Sequence, residues 1–254
     1  MIKLLSTDFD GTLVDHDRQP SVSPALFDQL SGMRERGALW AINTGRAVHH
    51  IVEGLAEYGF PFRPDFIVTS ERDIFRPKAG GGWEDYGDWN QRSIRAHSEL
   101  YEAAKPLIDE IHFFIKKNTK AQPINELSEI GIIASDEKEM EQIARFIDTL
   151  RPRLPAFQYQ RNTRYMRFCH SDYSKGTALG ELARLLAVPK EAIFAIGDHY
   201  NDIPMLDGRF ARWVACPANS AEAVKETVRS ARGHVASASF SDGVVESMRL
   251  FSKQ

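Results

Sequence analysis

Cysteine is scarce in this 254-residue chain, which contains only Cys169 and Cys216. Two cysteines are too few for a disulfide framework or a thiolate zinc site, and a reduced compartment is expected. Blocks of like charge are also absent, and the net charge of −3 argues against nucleic acid as a partner. Since no apolar run is long enough to span a membrane and the start does not resemble a secretion signal, we predict a cytoplasmic protein without a membrane partner.

The chain does contain an alternation of strand-like and helix-like segments. Short apolar runs at 38–42, 65–69, 192–196 and 213–215 predict strands, as does the run that begins at Leu4. Amphipathic segments predict helices at 24–36, 47–58, 174–186, 220–230 and 241–251. The alternation predicts an α/β fold with a Rossmann-like, doubly wound parallel sheet that is covered on both faces.

The middle of the chain breaks this alternation. Three consecutive glycines, Gly80 to Gly82, predict a flexible linker. Beyond them the pattern indicates a helix from 89 to 117 with a bend at Pro106, a second helix capped by Asp136, and short strands at 130–134, 156–160 and 164–170. We therefore predict an inserted α+β domain at residues 82–170, between core segments 1–81 and 171–254.

Two carboxylates directly follow the first strand, in the segment LLSTDFDGTLV. Because strand side chains alternate, Asp8 and Asp10 project to one side while Phe9 packs on the other. Like charges this close require a shared proton or a metal, and oxygen ligands favour Mg²⁺. A carboxylate beside Mg²⁺ is suited to attack phosphorus, and a second one to transfer protons. An ordinary surface turn closed by Asp10 and Gly11 is the competing interpretation.

This segment resembles the first motif of the haloacid dehalogenase (HAD) superfamily, whose phosphatases carry DxDGT after their first strand. Three further segments resemble the remaining motifs of the family, in the same order. They are Asn43-Thr44-Gly45-Arg46, Lys175 at a helix start, and GDHYND at 197–202. The form TGR is typical of the Cof-like branch. The resemblance therefore implies the HAD fold with a C2 cap of the IIB type as its inserted domain.

The resemblance also implies roles for individual residues. Asp8 is the nucleophile and Asp10 the general acid and base. The phosphoryl group is bound by Thr44, Gly45 and Lys175. The proposed Mg²⁺ ligands are Asp8, Asp10 and Asp198, while Asn201 and Asp202 hold the waters of the metal or orient neighbouring groups. Arg46 either grips the substrate or forms an ion pair at the surface, and contacts of Asn219 or His199 with substrate stay open.

We thus expect a Mg²⁺-dependent phosphatase that hydrolyses small phosphorylated metabolites, sugar phosphates first, through an aspartyl-phosphate. Two alternatives stay open. One is a phosphotransferase similar to phosphomannomutase, and the other is a phospho-accepting signalling domain. Asp10 and the cap argue against the signalling domain, since such a domain needs neither a leaving-group acid nor a lid. The sequence leaves the substrate and the oligomeric state undetermined.

Overall fold

The structure is a computed structural model that describes residues 1–126 and 129–251. It divides the chain into two compact units, Met1–Asn90 with Lys175–Gln254 and Gln91–Ser174. The inserted domain predicted from the sequence, at 82–170, begins and ends earlier than the second unit. Residues 82–90 lie with the first unit, where part of this segment forms an additional strand of its sheet.

Within the described residues, eight strands of the first unit form one sheet. They are β1 (Leu4–Thr7), β2 (Leu39–Asn43), β3 (Phe66–Thr69), β4 (Asp73–Pro77), β5 (Trp83–Asp85), β10 (Ile193–Ile196), β11 (Trp213–Cys216) and β12 (His234–Val235). Their spatial order is β12-β11-β10-β1-β2-β3-β4-β5, and the six strands from β12 to β3 run parallel. The predicted α/β class with a parallel central sheet is confirmed.

The edge formed by β4 and β5 differs from the prediction. These two strands are antiparallel and joined by the glycine run, which is a hairpin turn rather than a linker. Gly80, Gly81 and Gly82 all have positive φ, and the amide of Lys78 donates to the Gly82 carbonyl at 3.0 Å. Three glycines satisfy such a turn because they lack a Cβ, and the same freedom makes them resemble a linker in sequence.

Six helices belong to the first unit in the part of the chain that the structure describes. They are α1 (Pro24–Glu35), α2 (Val48–Glu57), α5 (Lys175–Leu185), α6 (Ile203–Leu206), α7 (Glu222–Ser230) and α8 (Phe240–Phe251). Helix α1 buries Leu26, Leu30 and Met33, the apolar stripe that the sequence predicts. No helix among the described residues is both long and apolar enough to cross a membrane.

The second unit has its own sheet and its own core. Its elements are α3 (Trp89–Asn118, which begins at the boundary between the units), β6 (Gln122–Glu126), β7 (Glu129–Ile133), α4 (Glu137–Leu150), β8 (Phe157–Arg161) and β9 (Tyr165–His170). The strands are antiparallel in the order β6-β7-β9-β8. Ile111, Ile143, Phe157 and Phe168 are fully buried between helices and sheet. Strand β6 was missed from the sequence.

Candidate active site

The site lies at the carboxyl edge of the parallel sheet. Asp8 follows β1, Thr44 follows β2, and Asp198 comes two residues after the end of β10. These three strands are neighbours, with Thr7 in register with both Ile42 and Ile196. Adjacent parallel strands end on the same edge, where open α/β sheets bind their ligands. The topology therefore brings together loops that are far apart in sequence.

Lys175, the first residue of α5, is completely buried between the carboxylates of Asp8 and Asp202. Its Nζ donates to Asp8 Oδ1 and to Asp202 Oδ1, both at 2.6 Å. The Asn43 side chain donates to the Lys175 carbonyl at 2.9 Å and so anchors the start of the helix. Burial alone would lower the pKa of Lys175, but the charges of Asp202, Asp8 and Glu71 outweigh it and raise the pKa. The lysine is therefore a permanent buried cation.

Three buried carboxylates, Asp8, Asp198 and Asp202, each place an oxygen within 4.8 Å of the others. Burial, opposed by Lys175, raises the pKa of Asp8 well above its usual value. Burial together with the charge of Asp202 raises the pKa of Asp198 to about 7, although the Thr12 hydroxyl donates to Asp198 at 2.8 Å. One lysine does not neutralise three carboxylates, so the cluster is suited to hold a further cation.

Two local features fix the shape of this acidic cluster. The second carboxylate oxygen of Asp202 accepts from the backbone amides of Asp198 and His199, each at 2.9 Å, and so holds the GDHYND loop. Gly11 has φ +76°, and a Cβ at this position would lie 2.5 Å from Asp198 Oδ2. Only glycine permits the first loop to approach Asp198 so closely.

Asp10 lies outside this cluster. Its carboxylate accepts two hydrogen bonds from Arg46, from Nε at 2.7 Å and from Nη2 at 2.6 Å. His16 Nε2 lies 2.7 Å from the same carboxylate, and its Nδ1 lies 3.1 Å from the Tyr58 hydroxyl. Phe9, between the two aspartates, is fully buried and packs against Tyr58, with ring centroids 6.2 Å apart. Neither His16 nor Tyr58 could be recognised as a partner of Asp10 from the sequence, because they lie in an ordinary polar loop and at a helix end.

The loop of Thr44, Gly45 and Arg46 is held by the turn that follows β3. The Thr44 hydroxyl, almost fully buried, accepts from the Arg46 amide at 3.2 Å. The amide of Glu71 donates to the Thr44 carbonyl at 2.9 Å, and the amide of Ser70 donates to the Arg46 carbonyl at 3.2 Å. The turn therefore fixes the backbone around the predicted phosphate-binding threonine.

Two further side chains join the loops of the site. Asn219 donates to the Gly11 carbonyl at 2.8 Å and accepts from the Phe240 amide at 2.8 Å, so it clamps the first loop. Asn201 donates to Glu71 Oε1 at 2.7 Å. Glu71 is buried. It was missed because the stretch around it contains no glycine that would signal a tight turn and matches no motif.

Comparison with known proteins places these observations in a family. The profile of the haloacid dehalogenase-like hydrolases matches residues 48–248. The putative phosphatase YxeH of Bacillus subtilis is 22% identical over 91% of this chain and 92% of its own length. The sucrose-phosphatase of Synechocystis sp. PCC6803, solved with sucrose and phosphate, is similar at a TM-score of 0.74 with 18% identity, over 99% of both chains.

A further solved structure, the HAD subclass IIB sugar phosphatase BT4131, is similar at a TM-score of 0.67 with 18% identity, over 98% of this chain and 99% of its own. The two solved structures share the fold. The family profile covers the third and fourth motifs and most of the chain. The predicted resemblance is therefore confirmed, and the chain belongs to the haloacid dehalogenase-like hydrolases.

Proposed function

We propose that this hydrolase is a Mg²⁺-dependent phosphatase that acts on small phosphate monoesters through an aspartyl-phosphate. The observation that carries the proposal is the buried contact of Asp8 with Lys175, at the edge where Asp198 and Asp202 also converge. Sugar phosphates are the first substrates to test, because the similar solved structures include a sucrose-phosphatase and a sugar phosphatase.

The donor set fits Mg²⁺. Asp8 and Asp198 offer hard, anionic oxygens, and their raised pKa values mean that burial without a cation is costly for both charged forms. We assign these two carboxylates to the metal, with Asp202 and Asn201 orienting the groups around it. Because the Asp10 carboxylate is engaged by Arg46 and His16, we assign Asp10 to proton transfer rather than to metal binding. When bound, Mg²⁺ would neutralise charge on Asp8 and on the phosphoryl group.

In the first step, a carboxylate oxygen of Asp8 attacks phosphorus and the bond from phosphorus to the ester oxygen breaks. Asp10 donates its proton to that departing oxygen, which leaves as an alcohol. Lys175 stabilises the negative charge on the phosphoryl oxygens, and the Thr44 hydroxyl and the Gly45 amide donate hydrogen bonds to them. An aspartyl-phosphate on Asp8 results.

In the second step, Asp10 accepts a proton from a water molecule as that water attacks the phosphorus of the aspartyl-phosphate. The acyl-phosphate bond breaks, inorganic phosphate leaves, and Asp8 regains its carboxylate. Asp10 is then protonated again for the next cycle. The Asp10 side chain is 38% exposed and its position is fixed by Arg46, so water reaches the group to which we assign both proton transfers.

Release of phosphate from a panel of metabolite esters, with Mg²⁺ and with EDTA, tests the proposal. Asp8→Asn should lower turnover by about 10⁴-fold or more, because the amide is not nucleophilic. Asp28→Asn, an exposed position on α1, is the matched control and should keep full activity. Normal turnover by the Asp8 variant, or phosphatase activity in EDTA equal to that in Mg²⁺, would contradict the proposal.

The same panel separates the alternatives. A phosphotransferase similar to phosphomannomutase would convert a sugar phosphate into its isomer with little free phosphate. A signalling domain would form a long-lived phosphorylated Asp8 without turnover. Mass spectrometry of the protein and chromatography of the sugar products distinguish these outcomes from hydrolysis.

A further inference from the structure

The turn between β3 and β4 combines strain with burial. Ser70 and Glu71 have φ values of +48° and +64°, the left-handed region that residues with a Cβ rarely adopt. Glu71 is nevertheless only 7% exposed. A buried carboxylate on a strained backbone is doubly unfavourable, and such arrangements persist mainly where they serve a functional site.

This turn contacts two motif loops at once. Its amides hold the Thr44 and Arg46 carbonyls, and Glu71 Oε1 accepts from the Asn201 side-chain amide at 2.7 Å. A carboxylate only accepts hydrogen bonds, so the NH₂ group of Asn201 must face Glu71. The Asn201 carbonyl oxygen is thereby turned away from Glu71 and left as an acceptor, on the residue that directly precedes Asp202 of the acidic cluster.

We propose that Glu71 is a positioning residue, which locks the Asn201 side chain so that its oxygen is presented as an acceptor to the groups around the cation. This inference rests on the proposed function for its link to Mg²⁺ and catalysis. The contact by which Glu71 locks Asn201 does not depend on that function, and its strength can be measured without enzyme activity.

A double-mutant cycle tests the lock. Glu71→Ala and Asn201→Ala should each raise the Mg²⁺ concentration for half-maximal activity by about 10-fold, and the double variant should lose no more than either single one. Glu71→Gln keeps an acceptor for Asn201 and should retain most of the Mg²⁺ affinity. Glu35→Ala, exposed on α1, is the matched control. Additive losses in the double variant, or a Gln variant as impaired as Ala, would overturn the inference.

The melting temperature provides a readout that needs no activity. The Tm increase caused by Mg²⁺ should be smaller in Glu71→Ala than in the wild type. The Tm losses of Glu71→Ala and Asn201→Ala should again be non-additive in the double variant. Glu71→Gly relieves the strained φ, so it should melt about 2 to 4 °C above Glu71→Ala while binding Mg²⁺ equally poorly.

Equal melting of the Gly and Ala variants would contradict the strain argument, and wild-type Mg²⁺ affinity in the Gly variant would contradict the positioning role. If the wild type hydrolyses no ester, the proposed function fails. The Tm cycle still decides whether Glu71 locks Asn201.

Discussion

Two aspartates only two residues apart occupy opposite environments in this site. Asp8 is buried against the Lys175 ammonium, within the acidic cluster of Asp198 and Asp202. Asp10 has a side chain 38% exposed and is held by Arg46 and His16. The strand alternation that buries Phe9 does not make the two carboxylates equivalent, because each one acquires its neighbours from distant parts of the chain.

Under the proposed mechanism, the difference explains how one short segment would supply two chemical functions. A buried carboxylate whose charge is held by cations is suited to bond to phosphorus, and a partly exposed one to exchange protons with water. Pairs of titratable groups with separated environments are the usual basis of acid and base assignments in enzymes. The following variants each alter one environment and leave the other in place.

The largest effect on stability is expected at Lys175. Lys175→Met leaves Asp8 and Asp202 buried without their cation, which should lower the free energy of unfolding by about 3 to 5 kcal/mol. Urea denaturation measures this free energy. Lys190→Met, which replaces an exposed lysine, is the control. A loss below about 1 kcal/mol would mean that the buried pairing contributes little.

A variant of Arg46 tests the exposed side of the comparison. Arg46→Gln removes the bidentate anchor of Asp10 and should lower kcat by about 10²-fold for alkyl phosphates, whose leaving groups need a proton. The loss should be much smaller for p-nitrophenyl phosphate, whose leaving group needs none. Unfolding measurements should differ little, since the pair is partly exposed. Equal losses for both substrates would indicate that Arg46 binds substrate instead.

A smaller effect is expected from pH in the absence of metal. The pKa of Asp198 is raised to about 7 by burial and by Asp202, whereas an unfolded aspartate titrates at about 3.9. The folded state binds the extra proton between these values, so stability falls as pH rises through this window, and about 2 to 3 kcal/mol of the fall lies between pH 5 and pH 8.

Urea denaturation in EDTA at pH 5 and pH 8 measures this loss. Asp198→Asn should show a smaller loss over the same range, and Mg²⁺ should reduce the loss in the wild type. A loss of the same size in the Asn variant would show that other groups cause the pH dependence.

The sequence predicted much of the sheet and the ends of its strands, because both depend on local patterns. Apolar runs such as Phe66–Thr69 and motif segments such as GDHYND are readable without tertiary information. The hairpin at Gly80 to Gly82 was wrongly predicted as a linker, since glycine permits both. The edge strands β4 and β5 were missed together with it.

The hydrogen-bond partners of the predicted site residues could not be predicted from local sequence patterns. The sequence did not decide whether Arg46 binds substrate or forms an ion pair at the surface, because its contact with Asp10 depends on how β1 and β2 pair. Glu71 was not found at all, since a left-handed glutamate gives no local signal. Motifs indicate which residues take part in the chemistry, but the packing of separate loops decides how each one is held.

The clamp made by Asn219 has a consequence for local unfolding. Its side chain joins the Gly11 carbonyl to the Phe240 amide at the start of α8, and Ser241 of the same helix accepts from the Ser23 amide that precedes α1. The first loop is therefore tied to α8 through one side chain, and we expect local opening of α8 to release this loop as well. Opening of α8 would thus loosen the loop next to Asp8, the proposed nucleophile.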